Sequence, residues 1–143
     1  MRMLRVLIVL LSLAGMIDSW LALRVHYSTA TEPCSINERW DCGVVNHSRY
    51  AEVAHVPVAL VGLAGYLLLM GLAYLRRPRL LLPAALAGFC IALYLTHIEK
   101  DVLMVYCLYC VISQAIIALI LLLAGVWLAT GLRSAQKQKA ERV

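Results

Sequence analysis

The chain has 143 residues, 63% of them hydrophobic, with a mean hydropathy of +0.83 and a single Phe. That apolar share is far above that of a soluble domain and points to an integral membrane protein. The net charge of +5 reflects where basic residues fall relative to a membrane, and not nucleic-acid binding.

Four apolar runs are predicted to cross the bilayer as helices, at about residues 6–23, 56–75, 80–96 and 106–130. Each is near the roughly 20 residues that a span needs. The expected architecture is therefore an all-α membrane protein of one domain, residues 1–143, built as a four-helix bundle. Residues 24–55 form an extracytoplasmic loop with a short cap helix, and residues 131–143 a cytoplasmic tail. A cleaved signal peptide is the alternative for the first run, with Arg2 and Arg5 as its charged leader. That run outlasts a usual signal core, and no clean small-x-small site follows it.

Asp18 sits near the outer end of the first run. An ionisable residue at membrane depth invites a functional reading. Standing about one and a half turns before Arg24, it reads instead as a solvated or paired interfacial acid. In the loop, Pro33 interrupts the chain before Cys34, and Cys42 follows eight positions later. A bridge between the two would close a small, mobile loop. No strand alternation is visible. The stretch Ser48-Arg49-Tyr50-Ala51-Glu52-Val53 reads as a short amphipathic helix capped by Ser48, and Pro57 suits the first position of the second span.

Gly62, Gly65, Gly71 and Gly88 let membrane helices approach closely, and Cys90 reads as a packing thiol. Arg76-Arg77-Pro78-Arg79 makes a tight turn. The third span leaves through Tyr94, Thr96, His97 and Glu99, and the short segment 97–105 keeps its end near Cys107. The fourth run opens with Tyr106-Cys107-Leu108-Tyr109-Cys110. Two thiols three positions apart share one helix face, and the partial positive charge of a helix N-terminus favours thiolate.

Arg2, Arg5, Arg76, Arg77, Arg79, Arg133, Lys137, Lys139 and Arg142, nine of the thirteen basic residues, fall on one side. The positive-inside rule makes that side cytoplasmic. The other side holds Glu32, Glu38, Asp41, Glu52, Glu99 and Asp101. With four spans both termini are cytoplasmic. Both cysteine pairs then lie at or beyond the outer face, where disulfides persist.

Two outward-facing cysteine pairs admit three readings: a thiol–disulfide relay, a four-cysteine metal site, or two structural disulfides. Eight positions between Cys34 and Cys42 fit a zinc site poorly. A relay needs an electron acceptor, and a lipid-soluble quinone suits a CxxC at the mouth of a bundle. Its slot would be apolar with a few polar groups for the carbonyl oxygens. Ser113 and Gln114, at i+3 and i+4 from Cys110, are candidates, and Tyr94 and His97 could reach the same level. Each also has a plain reading: Gln114 as an interhelical hydrogen bond, Tyr94 as an interfacial aromatic, His97 as an exposed helix-end residue.

The ordered set Cys34, Cys42, Ser48-Arg49-Tyr50, Pro57 before a Gly-rich span, then Tyr94, Glu99 and Cys107-Leu108-Tyr109-Cys110 resembles the vitamin K epoxide reductase family. The likeness is to its bacterial disulfide-forming members and runs over roughly residues 10–130. It implies a four-helix bundle around a quinone (ubiquinone or menaquinone), capped by the loop. It implies that Cys107 and Cys110 are the active redox pair, with Cys110 nearest the quinone. Cys34 and Cys42 would shuttle electrons from a thioredoxin-like protein, and Ser48 would sit over the pocket. Net flow in that branch runs from newly made protein thiols to quinone; the alternative is a quinone or epoxide reductase driven by a reducing partner. His55-Val56-Pro57 stands where Gly-aliphatic-Pro is usual. Ala59 and Gln114 stand where the animal enzymes hold the vitamin with Asn and Tyr, which favours a plain quinone. Many bacterial relatives carry a fused thioredoxin-like domain; here the partner is expected to be a separate protein.

Overall fold

In hydrocarbon a backbone polar group finds partners only within its own segment, so apolar runs of this length wind into helices. The computed structural model describes residues 1–28, 34 and 36–142. Its helices are α1 (Arg2–Tyr27), the short α2 (Cys42–Asn46), α3 (Val58–Tyr74), α4 (Pro78–Ile98) and α5 (Leu108–Ala140). A two-residue hairpin, β1 (Glu52–Val53) and β2 (Val56–Pro57), precedes α3. Glu32 and Pro33 lie outside the described residues.

Three helices are long and apolar enough to cross a membrane: α1, α4 with the π-turn that carries it to Leu103, and α5. The fourth apolar helix, α3, has 17 residues, which at 1.5 Å per residue is about 25 Å. The expected run 56–75 is shortened because Val56 and Pro57 pair in the hairpin. Pro57 is accordingly the N-cap of α3 and not its first helical residue.

α1 packs on α3 and α5, α4 packs on α5, and α3 touches α4. The shared core is Ile8, Tyr66, Leu69, Leu81, Ala85, Ile120, Ala124 and Trp127. Leu10, Ile17, Leu67, Leu86 and Leu122 point outward, a surface that lipid solvates as readily as a protein core would. Cys90 is exposed on this surface and does not pack inside, as its mid-span position had implied.

α1 earns its place through small residues. Ser12, Gly15, Ser19 and Ala22 recur every three or four positions on its buried face. A Cβ at Gly15 would stand 2.5 Å from the Tyr66 ring, so the bare backbone there is what lets α3 lay that ring against α1. This inward face ties α1 into the bundle.

The segment between α1 and α3 departs most from expectation. Only Arg49–Ala51 is helical after Ser48, as a single 3-10 turn, and the Ser48 hydroxyl does not cap it. The hydroxyl donates instead to Val45 O, at 2.8 Å. Glu52 and Val53 leave the expected cap helix to pair with Pro57 and Val56. Two residues connect these strands, Ala54 and His55, both left-handed with φ of 53° and 65°. A two-residue hairpin turn of this kind favours Asn-Gly, because side chains strain it. His55→Gly is therefore expected to stabilise the fold by about 0.5–1 kcal/mol, the left-handed penalty less the extra chain entropy of glycine. Thermal unfolding in detergent measures it; a lowered midpoint contradicts the account.

Candidate active site

Residues 39–41 run beside Tyr106. Tyr106 N donates to Arg39 O at 2.7 Å and Asp41 N donates to Tyr106 O at 3.1 Å. The Trp40 and Tyr106 rings meet with centroids 5.6 Å apart. Asp41 then caps α2 by accepting from Val44 N, so helix begins at Cys42. These local bonds bring the loop cysteine to the doorstep of Cys107. Cys34, Cys42 and Cys107 are buried in one cluster with Val25 and Val45, and Cys110 packs against it.

Cys34 and Cys42 are joined as a disulfide, with Cα atoms 5.8 Å apart, while Cys107 and Cys110 are free thiols. Among the described residues no three His, Cys, Asp or Glu side chains converge as metal ligands. Asn46, one turn after Cys42, links the two pairs. Its Nδ2 donates to Cys42 O at 2.9 Å and lies 3.6 Å from Cys107 Sγ.

Cys107 stands just outside α5, at its N-cap, and Cys110 lies in the first turn. The Cys107 thiol is held below the ordinary thiol range, chiefly by the hydrogen bond from Cys110, with the first-turn amides of Cys110 and Tyr109 assisting. Burial and the nearby Glu99 carboxylate oppose that shift. A lowered thiol is the better exchange target and nucleophile at neutral pH.

Cys110 opens onto a cavity of about 360 Å³ enclosed by α1, α3, α4, α5 and the cap. That is within the range for small-molecule sites. Apolar residues such as Val58, Ala87, Ile91 and Leu95 make most of its wall. Polar groups reach it from several sides: Asp18 and Ser19, Asn46 and Ser48, Tyr66 and Ser113, and Glu99. The Tyr66 hydroxyl donates to Ser113 O at 2.8 Å and lies equally close to Ser113 Oγ. The cap is fastened over the cavity by two histidines. His26 Nδ1 donates to Asn46 O at 2.6 Å and its Nε2 lies 3.3 Å from Glu52 Oε1. His47 bonds Gly43 O and Ser28 O at 2.8 and 3.0 Å.

Of the residues expected from sequence, Cys34, Cys42, Cys107 and Cys110 come together, and Ser48, Ala59 and Ser113 line the cavity. Gln114 and Tyr94 do not line it. Gln114 accepts from Thr96 Oγ1 on α4, and Tyr94 faces outward at 64% exposure. His97 likewise points away, its Nδ1 2.6 Å from Asp101 Oδ2. Asp18, expected to be solvated or paired at the interface, is buried and turned to the cavity. Asn46, Tyr66 and His26 carried no signal in the sequence, because each acts through contacts 20 or more positions away.

A helix bundle with apolar outer faces, and a helix-terminal dithiol opening on a cavity between the helices, defines a membrane thiol oxidoreductase. More narrowly, the chain belongs to the vitamin K epoxide reductase family, whose family model matches residues 6–125. No individual curated protein matches it. Members of this family are oxidoreductases that couple thiol–disulfide chemistry to quinone-type molecules.

Proposed function

We propose that this protein oxidises a separate thioredoxin-like periplasmic protein and passes the electrons to a membrane quinone, ubiquinone or menaquinone, so driving disulfide formation in exported proteins. One observation carries the reading. Asn46 bridges Cys42 and Cys107, while Cys110, three residues on, faces the cavity. The partner's thiols reduce the Cys34–Cys42 disulfide. A loop thiolate attacks Cys107 of the Cys107–Cys110 disulfide that oxidation by quinone has formed, breaking that bond. Cys110 leaves as the thiolate nearest the cavity, and the second loop thiol displaces Cys107 to restore the Cys34–Cys42 disulfide.

The residues present fit a quinone. The cavity is largely apolar, as a ring and isoprenoid tail require, and Ser48, Ala59 and Ser113 stand on its wall with Cys110. Tyr66 and Ser113 offer hydroxyls to a carbonyl oxygen. A quinone bound there supplies a two-electron, two-proton sink. Gln114 and Tyr94 serve the bundle in this reading: Gln114 holds α5 to α4, and Tyr94 meets the lipid. Reduced protein mixed with a short-chain quinone is expected to form one quinol per dithiol oxidised. No quinol from folded, reduced protein overturns the reading.

Four spans with both termini in the cytoplasm complete the proposal. Nine basic residues sit at the ends that this topology makes cytoplasmic. In intact cells an alkylating reagent that cannot cross membranes is expected to label reduced Cys34 and Cys42 from outside. Labelling only after the membrane is broken open reverses the orientation.

A further inference from the structure

Glu99 is 2% exposed, yet it faces the cavity beside Cys110. It stands in the π-turn Glu99–Leu103, the kind of local widening that recurs at functional sites. Its Oε2 accepts from Cys107 N at 3.1 Å, which anchors the carboxyl group at the start of α5. Its Oε1 is buried with no aligned hydrogen-bond partner among the described residues. An anchor needs one oxygen; the second is left over.

Oxidation of Cys107 and Cys110 to their disulfide releases two electrons and two protons, and a quinone becoming quinol takes up two of each. Resting on the quinone-linked reading above, we propose that Glu99 is a catalytic proton carrier, taking the Cys110 thiol proton on Oε1 and giving it to the quinone oxygen nearest Cys110. The S–H bond of Cys110 breaks, the Cys107–Cys110 S–S bond forms, and the electron pair passes to the quinone ring. The Cys107 proton leaves to water, and the far quinol oxygen takes its proton from water. Glu99 ends the cycle as it began, a carboxylate.

The other titratable groups on the cavity are worse placed. Asp18 and His26 belong to α1 and Tyr50 to the 3-10 turn after Ser48, and His26 is engaged with Asn46 O and Glu52. The Tyr66 hydroxyl is bonded to Ser113. Tyr109 shares the first turn of α5 with Cys110 but is not among the partners that bond Glu99. Asp101, two residues on from Glu99, is engaged by His97.

The test compares Glu99→Gln with wild type. Glutamine keeps the shape and the bond from Cys107 N but cannot carry a proton. In a single turnover with a short-chain benzoquinone, quinol formation is expected to fall by about a hundredfold or more, the usual loss of a general acid–base group. Electron exchange between the loop pair and the CxxC, followed without quinone, is expected to be no slower. Removing the carboxylate charge that opposes the lowering of Cys107 leaves that thiol at least as good an exchange partner. A second readout needs no quinone. The Cys110 S–H stretching band of reduced wild type, assigned by its loss in Cys110→Ser, reads the carboxylate through its shift in the variant, since Cys107 also accepts from this thiol. It moves up in Glu99→Gln. Normal quinol formation in Glu99→Gln, equal slowing of loop exchange, or an S–H band that stays in place in Glu99→Gln each overturns the proposal. Wild type that forms no quinol instead removes the reading beneath it.

Discussion

Cys110→Ser is expected to reduce quinol formation to background and to leave the protein cross-linked to itself. Cys107 is buried in the same cluster as Cys34 and Cys42, and Asn46 holds Cys42 and Cys107 on either side of one amide. The loop thiol therefore has its target in place. Cys107 is also the thiol lowered at the mouth of α5, so it leaves and attacks more readily at neutral pH. A Cys107 thiolate that attacks the Cys34–Cys42 disulfide breaks its S–S bond, forms a bridge from Cys107 to the loop and frees the other loop thiol. The thiol that resolves this bridge toward a Cys107–Cys110 disulfide is Cys110. Serine there preserves the shape and removes that step. Non-reducing digestion should then yield a peptide joining Cys107 to the loop, with Cys42 the partner that its position favours. Cys107→Ser should trap no bridge and leave the loop pair cut off from quinone. A bridge to Cys110 in Cys107→Ser, with none in Cys110→Ser, reverses the order of transfer.

The bundle was legible because lipid imposes a simple rule. Runs of about twenty apolar residues must be helical, and α1, α4 and α5 sit where the composition puts them. The segment 36–57 obeys no such rule. Its shape comes from distant partners: Tyr106 backbone bonds for residues 39–41, His26 for Asn46, and Ser28 for His47. A window of sequence contains none of these, so a plausible cap helix became a 3-10 turn and a hairpin. The thiols were legible from spacing alone; the cavity wall was only half so. Ser113 and Gln114 differ by about 100° around α5, so they meet different neighbours. The structure turns Ser113 to Tyr66 and the cavity, and Gln114 to Thr96. Asp18 shows the opposite failure. Its rarity in an apolar helix was a signal, and the proximity of Arg24 in sequence masked it.

Gly65→Leu is expected to weaken quinone binding while sparing the thiol chemistry. Gly65 lines the cavity, and a Cβ built on it meets nothing within 4 Å, so a larger side chain extends into the space the quinone is proposed to fill. Overfilling an apolar site by this much costs about 1–3 kcal/mol, or roughly a fivefold to hundredfold weaker affinity. The fold should not object, since leucine favours helix over glycine by about 1 kcal/mol in an interior position. Gly71 supplies the control within the same helix. It too has nothing within 4 Å of an added Cβ, but it does not line the cavity. Gly71→Leu should therefore leave quinone use near normal. In Gly65→Leu the loop pair should still exchange with Cys107 and Cys110, and the four thiols should titrate as in wild type. Equal loss of quinone affinity in both variants would place the effect in helix packing; loss in neither would place the quinone somewhere other than this cavity.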